Sequence, residues 1–243
     1  MIVLMTDFGD SEYVGVMKGV ILSLCPTAEI VDLTHSIPSQ SIIEGAWVLY
    51  KSYQYFPKGT IFVVVVDPGV GTDRDSVVVK TQNYTFVGPD NGLLYPAATD
   101  DGIVSVSSIV VEPTTSRTFH GRDVFARMAA FILRNQADRM LGGFKPSLSV
   151  TLEFNLQGRS GVIVRIDKFG NIITNIPPLT KGDYILRTID LRWDISWHPT
   201  YHSGPEYGVF LVTGSYDTLE IAAKDSSAAD EIPLKVGDRL TIE

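Results

Sequence analysis

The hydrophobic pattern of the first quarter of the chain alternates between short strand-like runs and segments with helical spacing. The continuous apolar run at 2–6 is typical of a strand that is buried on both faces of a sheet, and two further strands are predicted at 29–33 and 60–66. Between these runs, apolar residues recur every three or four positions over 14–24 and again after Ser39. This β-α-β-α-β order predicts a three-layer α/β domain, in which helices cover both faces of a mostly parallel sheet.

Further strands and one clear helix are predicted in the next part of the chain. β-Branched and aromatic residues indicate strands at Ser76–Lys80, Thr85–Val87 and Val104–Val111. Apolar residues with a period of three to four positions then predict a helix over Gly121–Asn135. These elements extend the α/β pattern towards residue 140.

The pattern changes after Gly142–Pro146. No strong helical period follows, and short apolar segments are instead separated by Gly, Asp and Pro. The predicted strands are Gly161–Ile166, Ile172–Ile176, Tyr184–Trp193, Gly208–Thr213, Leu219–Ala223 and one at the end of the chain. We therefore predict an α/β domain over residues 1–148 and a small all-β domain over residues 149–243.

Composition and charge narrow the class of protein. With 243 residues, 44% of them apolar, the chain can bury a sizeable core and is not a disordered protein. The net charge of −8 would repel a phosphate backbone, so a nucleic-acid partner is not expected. Apolar runs are too short to span a bilayer, and the start lacks the basic region of a signal peptide. With a single cysteine, Cys25, these features indicate a cytoplasmic protein without a membrane partner.

Polar clusters follow three of the predicted strands, where ligands bind in open parallel sheets. These clusters are Thr6-Asp7-Phe8-Gly9-Asp10, Thr34-His35-Ser36 and Asp67-Pro68-Gly69-Val70-Gly71-Thr72. Each one alone is explained by turn formation or helix capping. Because strand ends of one sheet lie side by side, Asp7 and Asp67 are expected to project into the same crevice.

The histidines and glycines of the chain give weaker signals. His120, at the predicted entrance of the 121–135 helix, is either a general base or part of the helix entrance. Gly69-Val70-Gly71 lacks the other residues of a dinucleotide or nucleoside-triphosphate loop. His198 and His202 flank Pro199, which prevents a regular helix, so a metal pair is not expected there.

Two turns of the second domain could hold a ligand. Asp167-Lys168-Phe169-Gly170-Asn171 suits an ordinary hairpin, but it also presents an acceptor, an aromatic face and an amide together. Gly214-Ser215-Tyr216-Asp217 has the same two interpretations. A nucleoside or an amino acid would need such groups.

Five motifs in this order and spacing resemble one known family over almost the whole chain. The motifs are Thr6-Asp7-Phe8-Gly9, Asp67-Pro68-Gly69-Val70-Gly71-Thr72, Pro89-Asp90-Asn91-Gly92, Phe119-His120-Gly121-Arg122-Asp123 and Asp167-Lys168-Phe169-Gly170-Asn171. The chain resembles the S-adenosyl-L-methionine (SAM) hydroxide adenosyltransferases, which are hydrolytic relatives of the fluorinating and chlorinating adenosyl enzymes. The resemblance implies an α/β amino-terminal domain, a β-barrel-like carboxy-terminal domain and a homotrimer with active sites between subunits.

The resemblance also implies a reaction. SAM and water would give adenosine and L-methionine, with no metal or other cofactor. In the hydrolases an Asp-Arg-His trio holds the attacking water or hydroxide, and its match here is Asp67, Arg74 and His120. The halogenases lack this trio.

A set of substrate-binding residues follows from the same resemblance. Asp7, with Phe8 beside it, matches the residue that binds the ribose hydroxyls. Asn171 would meet the adenine edge, Asp167 the methionine amino group, and Phe169 would pack on the ligand.

The match is less complete around the methionine carboxylate. Ser215 and Tyr216 lie in the matching region, but the halogenases have an arginine after the serine. Gln40 stands where a halogenase aromatic lies beside the ribose. Glu220 and Ala223 would add adenine contacts.

Three other functions stay open at this point. A halogenase of the same superfamily would use chloride as its nucleophile. A metal-dependent phosphohydrolase would use Asp7, Asp10, Asp67 and His120 as ligands. A non-catalytic sensor would bind adenosine or SAM without turning it over.

Overall fold

Seven strands of the amino-terminal part form one mixed sheet in the computed structural model, which describes residues 1–155 and 158–243. The strands are β1 (Ile2–Thr6), β2 (Ile30–Thr34), β3 (Ile61–Val65), β4 (Ser76–Thr81), β5 (Thr85–Pro89), β6 (Ile103–Ile109) and β7 (Leu141–Lys145). Their order is β2-β1-β3-β5-β4-β6-β7. The first four in this order run parallel, and β4, β6 and β7 extend the sheet in antiparallel fashion.

Helices cover both faces of this sheet, as the sequence predicted. They are α1 (Glu12–Leu24), α2 (Ile42–Ser52), α3 (Tyr95–Asp100) and α4 (Arg127–Leu133), which a π-helical turn at Gly121–Ala126 precedes. Val63 of β3 packs with α1 and α4 in one core cluster. Phe62, on the opposite face, stacks on Phe86, which contacts Tyr53 just after α2. Because successive side chains of β3 point to opposite faces, this strand contributes to the apolar core on each side of the sheet.

The carboxy-terminal part is a seven-stranded antiparallel sheet that nearly closes on itself. Its strands are β8 (Ser160–Ile166), β9 (Ile172–Thr174), β10 (Asp183–Arg187), β11 (Arg192–Ser196), β12 (Val209–Thr213), β13 (Leu219–Ala223) and β14 (Arg239–Ile242), and α5 (Ala228–Glu231) follows β13. Their order is β11-β10-β14-β8-β9-β13-β12. A bridge between Trp197 and Leu211 links the two ends. The predicted fold class, an α/β part followed by a barrel-like all-β part, is confirmed.

Some elements differ from the sequence prediction. The single strand predicted over 184–193 is a hairpin, because the Thr188 hydroxyl accepts from the amide of Leu191 and ends β10. The glycine-rich strand β7 and the short helix α3 were not predicted, since neither shows a clear period. Contacts divide the chain into the units Met1–Glu153 and Phe154–Glu243.

Candidate active site

Asp67, Arg74 and His120 lie together, although the histidine is 46 residues from the arginine along the chain. Asp67 follows β3, Arg74 precedes β4, and His120 precedes the π-helical turn. Arg74 Nε donates to Asp67 Oδ1 at 2.9 Å, and Arg74 Nη2 donates to Asp67 Oδ2. Arg74 Nη2 also lies 2.9 Å from His120 Nδ1. One guanidinium thus joins the carboxylate and the imidazole.

These three side chains are largely withdrawn from water. The side chains of Asp67 and Arg74 are 5% and 11% exposed, so their ion pair is poorly screened. The other terminal nitrogen of Arg74 donates to Ser76 Oγ at 2.7 Å, and the guanidinium lies over the Phe125 ring. Because arginine only donates, His120 Nδ1 accepts, and the neutral imidazole carries its proton on Nε2.

Two glycines allow the loops of the trio to pack this closely. Gly71, between Asp67 and Arg74, has a φ of +78°, and a Cβ there would lie 2.2 Å from the carbonyl oxygen of Arg117. A Cβ on Gly121, next to His120, would lie 3.1 Å from the Met17 sulfur. The loop of Asp67 and the segment before His120 therefore touch along the backbone.

The protonation of His120 gives a first testable prediction. Burial and the neighbouring Arg74 lower the pKa of His120, against the opposing effects of Asp67 and Asp123. Arg74→Gln should raise this pKa, because the charge that lowers it is removed while both carboxylates stay. An NMR titration of the His120 ring protons measures this pKa in the wild type and in Arg74→Gln. The His120→Asn variant assigns the signals, because they are absent from it. A wild-type pKa above 6.5, or a decrease in the variant, would contradict the geometry.

A cavity of about 380 Å³ opens beside the trio in the amino-terminal unit. Asp7, Phe8, Asp67 and His120 all line it, so the predicted crevice shared by Asp7 and Asp67 is present. Asp7 Oδ2 accepts from the backbone amide of Gln40 at 2.8 Å, and Gln40 has a φ of +65°, which is unusual for a residue other than glycine. The carboxylate of Asp7 therefore fixes a strained loop at the cavity rim.

A second cavity, of about 780 Å³, lies in the carboxy-terminal unit. All seven residues of this unit that the sequence analysis named as substrate-binding line it: Asp167, Phe169, Asn171, Ser215, Tyr216, Glu220 and Ala223. Five further lining residues were not predicted: Arg165, Ile173, Tyr201, Asp225 and Ser226. They lie outside the motifs, and only the order of strands brings them to this face.

The turn after β8 is held by one carboxylate. Asp167 Oδ1 accepts from the backbone amides of Phe169 and Asn171, and its Oδ2 accepts from the Asn171 side-chain amide at 3.0 Å. This leaves Asn171 Oδ1 as an acceptor and Asp167 Oδ2 with room for one more donor. The Phe169 ring is 66% exposed, with the ammonium of Lys168 over it at 4.8 Å. An amide, a carboxylate and an aromatic face therefore border one cavity in a rigid turn.

A buried carboxyl lies at the other side of this cavity. Tyr201 donates to Glu220 Oε2 at 2.7 Å. Gly214 packs so closely against the other carboxylate oxygen, Oε1, that a Cβ at this position would overlap it. Burial and nearby Asp167 raise the pKa of Glu220 in spite of the bond from Tyr201. Burial and Glu220 also raise the pKa of the Tyr201 hydroxyl, which keeps it a donor.

Other features of the described residues bear on metals and membranes. Within residues 1–155 and 158–243, no group of three or more His, Cys, Asp or Glu side chains is arranged to hold a metal ion. His198 is bonded to Ser196 rather than to His202. Over the same ranges, no helix is long and apolar enough to cross a membrane.

Protein-family models identify the chain. The SAM hydroxide adenosyltransferase N-terminal domain matches residues 2–142, and the C-terminal domain of the same family matches residues 161–241. The chain belongs to the SAM hydroxide adenosyltransferase family. The family that the motifs indicated is thereby confirmed, and so is the predicted class of enzyme.

Two relatives match almost the whole of this chain. A protein named (R)-S-adenosyl-L-methionine hydrolase from Salinispora arenicola is 32% identical, over 98% of this chain and 95% of its own. One with the same name from Thermus thermophilus is 33% identical, over 96% and 95% of the two chains. The crystal structure of an uncharacterised conserved protein from Thermotoga maritima has a TM-score of 0.88 at 32% identity, over the whole of both chains.

Proposed function

We propose that this family member hydrolyses SAM to adenosine and L-methionine. The observation that carries the proposal is the guanidinium of Arg74, which bonds Asp67 and His120 at once beside a cavity. The names of the relatives from Salinispora arenicola and Thermus thermophilus support the same reaction. Asp67, Arg74 and His120 then hold the water or hydroxide that attacks C5′ of the ribose.

The reaction is an in-line displacement at C5′. The new C5′–O bond forms on one side while the C5′–S bond breaks on the other, and its electron pair leaves with sulfur as neutral methionine. His120 donates from Nε2 to the nucleophilic oxygen and orients it, because its Nδ1 is occupied by Arg74. The proton of an attacking water passes to Asp67, and the positive charge of Arg74 stabilises a hydroxide nucleophile.

The burial of Asp67, Arg74 and His120 favours the displacement at C5′. Attack of hydroxide on a sulfonium merges opposite charges, so charge disperses in the transition state. Withdrawal from water strengthens that tendency relative to bulk solution. Alignment of the oxygen with C5′ adds several kcal/mol, up to roughly 7–11 in ideal intramolecular cases.

The remaining predicted residues bind the substrate in this proposal. Asp7 accepts from the ribose hydroxyls, and Phe8 packs beside it in the first cavity. Asn171 accepts from the adenine amino group through Oδ1, which its bond to Asp167 leaves open. Asp167 accepts from the methionine ammonium, and Phe169 supplies an apolar face.

The other side of the second cavity completes the binding set. Glu220 and Ala223 border the adenine, while Ser215 and Tyr216 lie along the amino-acid end of the substrate. Each of these four residues lines the cavity that the Asp167 turn borders. The adenine and the amino-acid end of the substrate would thus contact one continuous surface.

The proposal also covers assembly, cofactors and location. We propose a cytoplasmic homotrimer in which the nucleophile residues of one subunit work with the nucleoside-binding residues of a neighbour. The reaction needs no metal or other cofactor, and neither nucleic acid nor a membrane is a partner. Light scattering of the native protein measures the assembly directly.

A halogenase is the nearest alternative reaction. Chloride would have to enter a cavity that the carboxylates of Asp7 and Asp67 both line. A carboxylate repels an anion in the same cavity, so the charge of the cavity disfavours chloride and favours a neutral water molecule as the entering nucleophile.

Chromatography of SAM incubated with the protein tests the proposal. In a buffer with chloride, we expect adenosine and methionine in equal amounts, with EDTA making no difference. A 5′-chloro nucleoside would assign a halogenase instead, and loss of activity with EDTA would indicate a metal enzyme. Unchanged substrate would leave a ligand-binding protein.

A further inference from the structure

The second cavity contains a cation that the proposed function has not used. Arg165 of β8 lines it, together with the acidic residues Asp167, Glu220 and Asp225. Among the described residues, Arg165 forms no hydrogen bond or ion pair through its side chain, and no other lysine or arginine lines this cavity. A partly buried guanidinium beside three acidic groups, but bonded to none, can pair with a ligand anion.

A β-bulge directs Arg165 towards the cavity. Ile163 packs in the barrel core, and in a regular strand Arg165, two residues later, would do the same. The register of β8 against β9 instead shifts between these two residues, and Ile166 is the next to pack on the core. The extra residue, Val164, therefore places Arg165 on the outer face, as bulges near binding sites do.

The sheet then sets Arg165 beside the other polar groups of the cavity. Arg165 is paired with Ile173 of β9, which is paired with Glu220 of β13, so the three form one row across the strands. Asp167 follows two residues after Arg165 and lines the same cavity. The turn amides of Phe169 and Asn171 fix the orientation of its carboxylate through Oδ1.

We propose that Arg165 binds the α-carboxylate of the amino-acid end of the substrate, an inference that rests on the proposed function. SAM carries one negative group, the carboxylate, one carbon away from the ammonium that Asp167 is proposed to hold. Arg165 near the end of β8 and Asp167 in the turn that follows both line this cavity. This pair therefore offers a positive group to the carboxylate and a negative group to the ammonium of the same amino acid.

The test compares SAM with its decarboxylated analogue, which keeps the adenosyl group, the sulfonium and the ammonium. By calorimetry, Arg165→Gln should weaken the binding of SAM about 10- to 100-fold, the loss expected for a charge-assisted bond. The analogue should bind the variant and the wild type within about threefold of each other, because it has no carboxylate to lose. Arg165→Lys keeps the positive charge but not the forked pair of guanidinium donors. Its affinity for SAM should therefore lie between those of the wild type and Arg165→Gln.

Arg187→Gln is the matched control, because Arg187 lies on β10 of the same unit and pairs with Glu243 outside the cavity. Equal losses for both ligands, or no loss for SAM, would overturn the role of Arg165. Failure of the wild type to release adenosine would overturn the proposed reaction, while the ratio of the two affinities would still report on Arg165. If the wild type bound neither ligand, both proposals would fall.

Discussion

Asp67→Asn is expected to lower kcat for SAM hydrolysis about 10²–10⁴-fold, the usual range for loss of a positioned proton acceptor. The amide keeps the size of the carboxylate but carries no charge, so it neither takes a proton nor holds Arg74 as a bidentate pair. Arg74 keeps its bond to Ser76, which should preserve the loop. The Kd for SAM should change less than about threefold, because Asp67 is proposed to contact the nucleophile rather than the substrate.

Asp73→Asn is the matched control for this variant. Asp73 lies in the same loop, is exposed, and does not line the cavity. Single-turnover rates and calorimetric Kd values of the two variants separate chemistry from binding. Full activity of Asp67→Asn, or a loss that appears only in Kd, would remove Asp67 from the proposed trio.

Gly170→Ala should both destabilise the barrel unit and abolish tight binding of SAM. Gly170 has a φ of +83°, and a Cβ there would lie 2.1 Å from Ser227 Oγ and 2.8 Å from Ser227 Cα. The left-handed backbone costs about 1–2 kcal/mol for alanine. The clash with the Ser227 backbone adds about 1–3 kcal/mol, as overpacking does elsewhere. Displacement of the turn would move Asp167 and Asn171, so affinity should fall at least about tenfold.

Gly208→Ala separates the two causes. Gly208 has the same φ of +83° in the same unit, but nothing lies within 4 Å of its Cβ position. Urea unfolding should therefore show only the backbone cost of about 1–2 kcal/mol, with the Kd for SAM unchanged. Equal effects of the two substitutions would mean that contact with Ser227 does not hold the turn.

Much of the fold and part of the site follow from local sequence patterns. Buried strands at 2–6 and 60–66 show as unbroken apolar runs, and the rule for strand ends brings Asp7 and Asp67 to one cavity. His120 was open to two interpretations from its residues alone. Only the motif resemblance joined it to Arg74, because their contact depends on how distant segments pack.

What the sequence did not predict depends on backbone geometry or on distant pairings. Gln40 adopts a left-handed conformation that its residue type does not favour, and the bond to Asp7 stabilises it. The pair of Tyr201 and Glu220 arises from separate segments, so no local pattern marks it. The bulge in β8 lies within a run of apolar residues whose alternation gives no sign of a shift.

That bulge determines where a change in the length of β8 would disturb the binding face. Substitutions at Val164 would alter packing, but deletion of this one residue would return β8 to an even pleat. Arg165 would then follow Ile163 directly and stay on the outer face, because adjacent residues of a strand point to opposite faces. Deletion of Ile166 would instead place Asp167 directly after Arg165 and so on the opposite face. One-residue deletions should therefore be tolerated better at the bulge than between Arg165 and Asp167.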